Sequence, residues 1–266
     1  MKTVLMLAHD DEGQEARLQT ALDLARALGG HLTCLGVAVV SPMPGDVDGM
    51  VSGVLMAEAR ERAAATRARI EARLARADVP WDWIEASGTL AACVKDAARL
   101  ADLIVVNRRI DSAPSTDMEA AVGELIVTAG KPLVAVPETA RGFAVAGRAL
   151  VAWDGSATAA AAVRAAVPLL SRAESVTVLT VARGTAPTDA GAAATYLSRH
   201  GIRAEILVQH DDGDGPAALL LREIRAGQVD YVVMGGFGHR RMTEALFGGV
   251  TRRMLARCPV PIVLAH

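Results

Sequence analysis

The sequence predicts an α/β protein of two tandem domains, each an open parallel sheet of about five strands with helices on its faces. Three observations predict it. Short apolar runs alternate with stretches of helical spacing along the whole chain. The order of these runs in the first half recurs in the second. And 52% of the 266 residues are hydrophobic while only 3% are aromatic. The core must therefore be built from Ala, Val and Leu, as suits buried parallel strands under Ala-rich helices.

Strands are expected at residues 4–8, 32–39, 83–86, 103–106 and 133–136, then again at 149–153, 176–181, 204–208, 231–234 and 262–265. VLMLAHDD matches ALVAWDGS with a one-residue shift that sets Asp10 over Asp154, and ADLIVVN aligns with VDYVVMG and AGKPLVAV with RCPVPIVL. The first half holds about fifteen extra residues between its second and fourth strands. The Pro/Gly-rich SPMPGDVDGM and a helix over 54–76 account for them. Opposite charges at helical spacing favour a solvated helix lying on its own sheet over the alternative of a partner-binding face. Pro168 should kink or end the helix that follows Asp154. Residues 138–147 lose strand periodicity and serve as a linker, which gives domains 1–140 and 147–266. Each last strand is preceded by a proline, Pro132 or Pro261. Two fused copies can pair through those edges inside one chain, an internal pseudo-dimer.

With 28 basic and 30 acidic residues the net charge is −2, so no field attracts nucleic acid or an anionic membrane surface. Cys34, Cys93 and Cys258 form no Cys-x-x-Cys and are expected to be reduced and buried. The first apolar stretch breaks at His9 and Asp10, too early for a signal-peptide core or a membrane span, and a cytoplasmic protein is expected. Asp211, Asp212 and Asp214 lack the spacing and closing glutamate of a calcium loop and read as a polar turn.

The most informative stretch is MGGFGHRRMTEALFGGVTRRML, directly after the fourth strand of the second half. Its glycines run Gly235-x-x-Gly238, then nine residues, then Gly248-Gly249. Glycines at a strand end bring bare N–H groups together and let a polyanion approach. A helix beginning near Gly248 would add its own free N–H groups and dipole. His239, Arg240 and Arg241 stand where they could balance phosphate charge.

This segment closely resembles the ATP-binding signature of the universal stress protein family: Gly-x-x-Gly, nine residues, Gly, then Ser or Thr. Gly249 departs from it by removing a hydroxyl, and Thr251 is near but out of register. ALVAWDGSATAAAAVRAA resembles the family's opening strand, turn and first helix. The resemblance implies tandem Rossmann-like, adenine nucleotide alpha-hydrolase-like domains. It also implies ATP, with or without Mg, contacted by Asp154, Val181 and the glycine loop. Read from the residues alone, Asp154 and Ser156 cap the following helix, a role compatible with ligand contact. The first half places Asn107 and Ile110 at the positions of Gly235 and Gly238, and Glu119 and Ala120 at those of Gly248 and Gly249. It is therefore not expected to bind ATP, with an uncharged or smaller ligand left as the alternative, and Arg108 and Arg109 read as solvated.

The function expected is a nucleotide-responsive stress-response regulator that binds ATP in its C-terminal domain and so alters contacts with an unidentified protein partner. The alternative is a stress-response scaffold that binds no nucleotide. Further homodimerisation is implied by family habit alone. No enzyme is expected beyond weak ATP hydrolysis, since His-x-Gly-His, Ser-Gly-Gly-x-Asp-Ser and the Walker lysine loop are all missing.

Overall fold

The computed structural model describes residues 1–39, 50–108, 118–182, 190–211, 213–237 and 249–266. The first half runs β1 (Thr3–Ala8), α1 (Gln14–Leu28), β2 (His31–Val39), α2 (Met50–Leu74), β3 (Trp81–Gly88), α3 (Leu90–Ala97), β4 (Leu103–Asn107), α4 (Met118–Thr128), β5 (Leu133–Val136). The second runs β6 (Arg148–Ala152), α5 (Ala157–Leu170), β7 (Ser175–Ala182), α6 (Ala190–Arg199), β8 (Ala204–His210), α7 (Pro216–Ala226), β9 (Tyr231–Gly235), α8 (Gly249–Arg257), β10 (Ile262–Ala265).

All these strands share one sheet in the order β3-β2-β1-β4-β5-β10-β9-β6-β7-β8. Each half is parallel throughout, and the halves join through antiparallel β5 and β10, with Val263 opposite Val134. The expected pairing of last strands is thus found inside the chain. Alternate residues of each strand feed two cores. Val4, Met6 and Ala8 face α1, and the same face of the second half lies under α5 and α6. Leu5 and Leu7 face the layer of α3 and α4, continued by α7 and α8. Both faces of the inner strands are covered, which is why those strands read as continuous apolar runs, whereas the outermost strands β3 and β8 are only partly buried.

The long helix α2 lies on β2 through Thr66, Ile70 and Leu74, while Val54 and Leu55 are exposed, as a solvated helix should be. Pro168 falls two residues before α5 ends. Burial pushes the Cys34 thiol up to about 12, with Asp82 adding to the shift, and all three cysteines are free and buried. Among the described residues no helix is long and apolar enough to cross a membrane.

Sheet register corrects one alignment. Val4 pairs with Leu103 as Ala149 pairs with Tyr231. Asp102 accepts the Thr3 N–H at 3.0 Å, just as Asp230 accepts that of Arg148 at 2.7 Å. Counted from these anchors, His9 and not Asp10 stands in the strand register of Asp154.

The halves are locked beyond the β5–β10 ladder. Arg108 is not solvated: its side chain is 15% exposed, pairs with Glu138 at 3.4 Å, and donates to the Cys258 carbonyl at 2.6 Å. A buried backbone acceptor left by the end of α8 explains that position better than solvent does. Residues 138–147 are docked rather than slack. Phe143 and Val145 are buried, the Phe143 ring lies 4.8 Å from that of Tyr231, and the Phe143 N–H donates to Asp23.

Because the two halves share one sheet and both cores, they should unfold together. Trp81 and Trp83 report on the first half and Trp153 on the second. In urea, a Trp153→Phe chain and a Trp81→Phe/Trp83→Phe chain should each show one transition whose fluorescence midpoint coincides with the far-UV signal of the same protein. Two separated midpoints within either chain would mean that the halves fold independently.

Candidate functional site

In an open parallel sheet, a crevice forms where successive connections leave a strand in opposite directions. In the second half that point lies at the carboxyl ends of β6 and β9, since β6 is flanked by β7 on one side and β9 on the other. Asp154 follows β6. Its Oδ1 accepts the Ser156 N–H at 3.0 Å across Gly155, whose φ of +76° favours glycine. Ser156 Oγ then accepts the Ala159 N–H at 3.1 Å and caps α5. Of the two caps read from the sequence, Ser156 caps α5, while Asp154 holds the turn before the cap rather than the helix itself. Asp154 itself is exposed, and its Oδ2 has no hydrogen bond among the described residues.

The turn is tied to β7 on its other side. The Trp153 N–H donates to the Leu179 carbonyl and Thr180 Oγ1 donates to the Trp153 carbonyl, which sets half-buried Val181 beside the crevice. Gly235 closes β9 against the first turn of α5. A Cβ there would lie 2.5 Å from the Ala159 nitrogen and 2.6 Å from Thr158 Oγ1, so packing alone demands glycine.

The glycine segment then turns against the first half. The Gly236 N–H donates to the Ala265 carbonyl, and a Cβ on Gly236 would lie 2.4 Å from Cγ2 of Ile126, in the first half. Phe237 has a φ of +53° and donates its N–H to Thr251 Oγ1 at 3.3 Å. Buried Thr251 therefore latches the start of the loop to α8. Gly249 opens α8, is exposed, and has no atom within 4 Å of where its Cβ would be. Gly238, His239, Arg240, Arg241 and Gly248 lie outside the described residues, as do Arg109, Ile110 and Asp212, and the Glu119 and Ala120 side chains. The polar turn read at Asp211 is present: its Oδ1 accepts the N–H groups of Gly213 and Gly215 just before α7.

The matching crevice of the first half, between β1 and β4, is built differently. Residues 9–13 join β1 to α1, a longer turn than 153–156 between β6 and α5. Here Asp11 does what Asp154 does, its Oδ1 accepting the Gly13 N–H at 2.8 Å. Asp10 instead points outward to Arg69. Asn107, at the Gly235 position, keeps its side chain against Gly13, where a Cβ would collide with Nδ2. The close approach of strand end to helix start is thus kept in both halves, with the glycine moved from strand to helix.

Into this crevice runs Arg17, which is fully buried. Its Nε donates to the Leu7 carbonyl at 2.6 Å, and its Nη1 donates to Asn107 Oδ1 and to Asp11 Oδ1. Its Nη2 donates to the His9 carbonyl, Asp11 Oδ2 and Gln14 Oε1. Burial alone would raise the Asp11 carboxyl, but the hydrogen bond from His9 and the charge of Arg17 outweigh it and hold the group below its ordinary value. Burial lowers Arg17, with Asp11 opposing. Sequence reasoning missed this residue. The available signal was that Arg17, Ala21, Leu24 and Leu28 share one helix face, an apolar stripe headed by a charge.

Residues 146–266 match the model of the Universal stress protein family. A universal stress protein from Archaeoglobus fulgidus DSM 4304 shares the fold over 99% of this chain and 97% of its own, with a TM-score of 0.77 at 17% identity. A functionally unknown protein from Pseudomonas aeruginosa PAO1 does so over 100% of this chain and 92% of its own, with a TM-score of 0.58 at 14% identity. Curated protein sequences contain no significant match to the chain.

Two outcomes are expected at these crevices. Gly235→Ala should destabilise the protein by about 1–3 kcal/mol in urea titration, since backbone rather than a movable side chain opposes the new methyl. Asp11→Asn should cost about 3 kcal/mol at neutral pH, because it leaves the buried guanidinium without its counter-charge. The Asp11 carboxyl is depressed when folded, so its stabilisation is present above the ordinary value of 3.8 and is lost as pH falls below it. The gap between wild type and Asp11→Asn should therefore narrow on acidification, and a gap independent of pH would exclude Asp11 as the charged partner.

Proposed function

From a universal stress protein domain at residues 146–266, we propose that the protein binds one adenine nucleotide per chain in the crevice between β6 and β9, and works through nucleotide-dependent contacts rather than catalysis. The observation that carries this is the contrast between two equivalent crevices. One is edged by an exposed carboxylate with an uncommitted oxygen, and the other has its equivalent carboxylate consumed by Arg17.

The residues present suit such a ligand. Asp154 Oδ2 is available to accept from the base or ribose, and half-buried Val181 offers an apolar edge for the ring. Gly235, Gly238, Gly248 and Gly249 are assigned to phosphate from the glycine motif alone, as positions whose backbone N–H groups such a ligand would use. ATP is the nucleotide assigned, with or without Mg, from the form of the glycine motif. His239 adjoins that motif and is assigned to phosphate charge. The protein partner is of unassigned identity, and the proposal gives no residue a catalytic role.

Calorimetric titration with Mg-ATP should return one site per chain, and nucleotide at a hundredfold excess over its dissociation constant should add about 2.7 kcal/mol of stability. Asp154→Ala should weaken binding about tenfold, the worth of one hydrogen bond. Gly248→Glu, which sets a carboxylate where phosphate is expected, should abolish it. Two sites would mean that the first crevice also opens to ligand. No binding up to millimolar ATP would favour a scaffold that works without nucleotide.

A further inference from the structure

The geometry points to an internal occupant for the N-terminal crevice: the Arg17 guanidinium sits there as a bound ligand would, and the first half is a permanently filled domain rather than a vacant second site. The inference takes the strand-switch crevice as the ligand position in both halves, as proposed for the second, but its test needs no nucleotide.

Three features carry it. The first is position. Arg17 reaches the carbonyls of Leu7 and His9 at the end of β1 and the Asn107 side chain at the end of β4, so it spans the same pair of strand ends that Asp154 and Gly235 edge in the second half. Counted from the start of each helix, Ala160 occupies its place in α5, with no side chain long enough to reach.

The second is saturation. A guanidinium has five N–H donors in a planar fork. Nε and both Nη groups of Arg17 are all engaged, three acceptors being side chains and two backbone carbonyls. The amide oxygens of Gln14 and Asn107 both turn toward it, that of Gln14 also accepting the His9 N–H, although this leaves Gln14 Nε2 and Asn107 Nδ2 buried without a partner among the described residues. Surroundings organised at that cost serve the cation and not only its aliphatic stem.

The third is the fate of the carboxylate. Asp11 keeps the turn-capping role that Asp154 has, but both of its oxygens face the guanidinium fork, at 3.3 and 3.0 Å, and His9 Nδ1 stands 3.3 Å away on the same group. A donor edge from outside would have to displace a charged, covalently tethered one. The tether makes the arginine's effective concentration far exceed that of a free ligand.

The test is excision and replacement in the full chain. Arg17→Ala should lower the thermal midpoint by roughly 10 °C, as loss of one partner of a buried pair does in a protein of this size. Guanidinium chloride at tens of millimolar should then recover part of that loss in Arg17→Ala, while sodium chloride at the same strength recovers none and wild type gains nothing. A folded Arg17→Ala chain that guanidinium does not restabilise, or that loses no stability, overturns the inference. Should the alanine chain fail to fold, Arg17→Lys decides: a single ammonium cannot satisfy so many acceptors, so its midpoint should fall by several degrees. Wild-type stability in Arg17→Lys would show that a point charge suffices and that no guanidinium site exists.

Discussion

The antiparallel ladder between β5 and β10 is the constraint on which the rest of the molecule depends. Ile262, Val263 and Leu264 lie opposite Ala135, Val134 and Leu133, all buried, so the last strand of each half covers the edge of the other. Left open, each would be a short apolar edge prone to pairing with other chains. One consequence is directional. Strands of the two halves run oppositely across the join, so the β1–β4 crevice and the β6–β9 crevice open at opposite edges of the sheet. A second consequence is contact at a distance from the ladder. The end of β4 reaches the far end of α8 through Arg108, and the end of β9 packs Gly236 against Ile126. The glycine loop of the second half thus begins on a surface supplied by the first.

Within that frame the two copies have diverged at one place. A carboxylate three residues before the helix start holds the turn in both, as Asp11 or Asp154. In the second half the strand end is glycine and the helix carries alanines, so the carboxylate remains exposed. In the first half Asn107 and Arg17 bring side chains inward, and the carboxylate is neutralised from within. A buried cation is tolerable only when its donors are met and a counter-charge is near, which is why Arg17, Asp11, Gln14 and Asn107 must be considered together. An adenine nucleotide in the open crevice and an arginine in the closed one would then be two ways of satisfying the same strand ends.

Much of this was legible in the sequence because it rests on local pattern. Apolar runs gave each strand to within a few residues, the prolines at 132 and 261 marked the strands that pair, and the Asp154-Gly155-Ser156 turn announced its own capping. What the sequence did not yield depends on loop length or on partners far away. Matching aspartate to aspartate put Asp10 over Asp154, but the longer β1–α1 turn gives the turn-holding role to Asp11. Arg17 and Arg108 both look like ordinary solvated charges. Their partners include backbone carbonyls at Leu7, His9 and Cys258, and a carbonyl leaves no mark in a residue pattern. Thr251 looked out of register for phosphate, and its hydroxyl is instead engaged with the Phe237 N–H.

The central claim, one crevice open to ligand and one filled by the chain itself, is tested most directly by amide and arginine side-chain NMR of the whole protein during titration with ATP. Shifts are predicted at Gly155, Ser156, Val181, Gly235 and Gly249, while the Arg17 Nε–H signal stays in place and remains protected from solvent exchange. Shifts centred on His9, Asp11 and Arg17, with the second-half crevice silent, would contradict it.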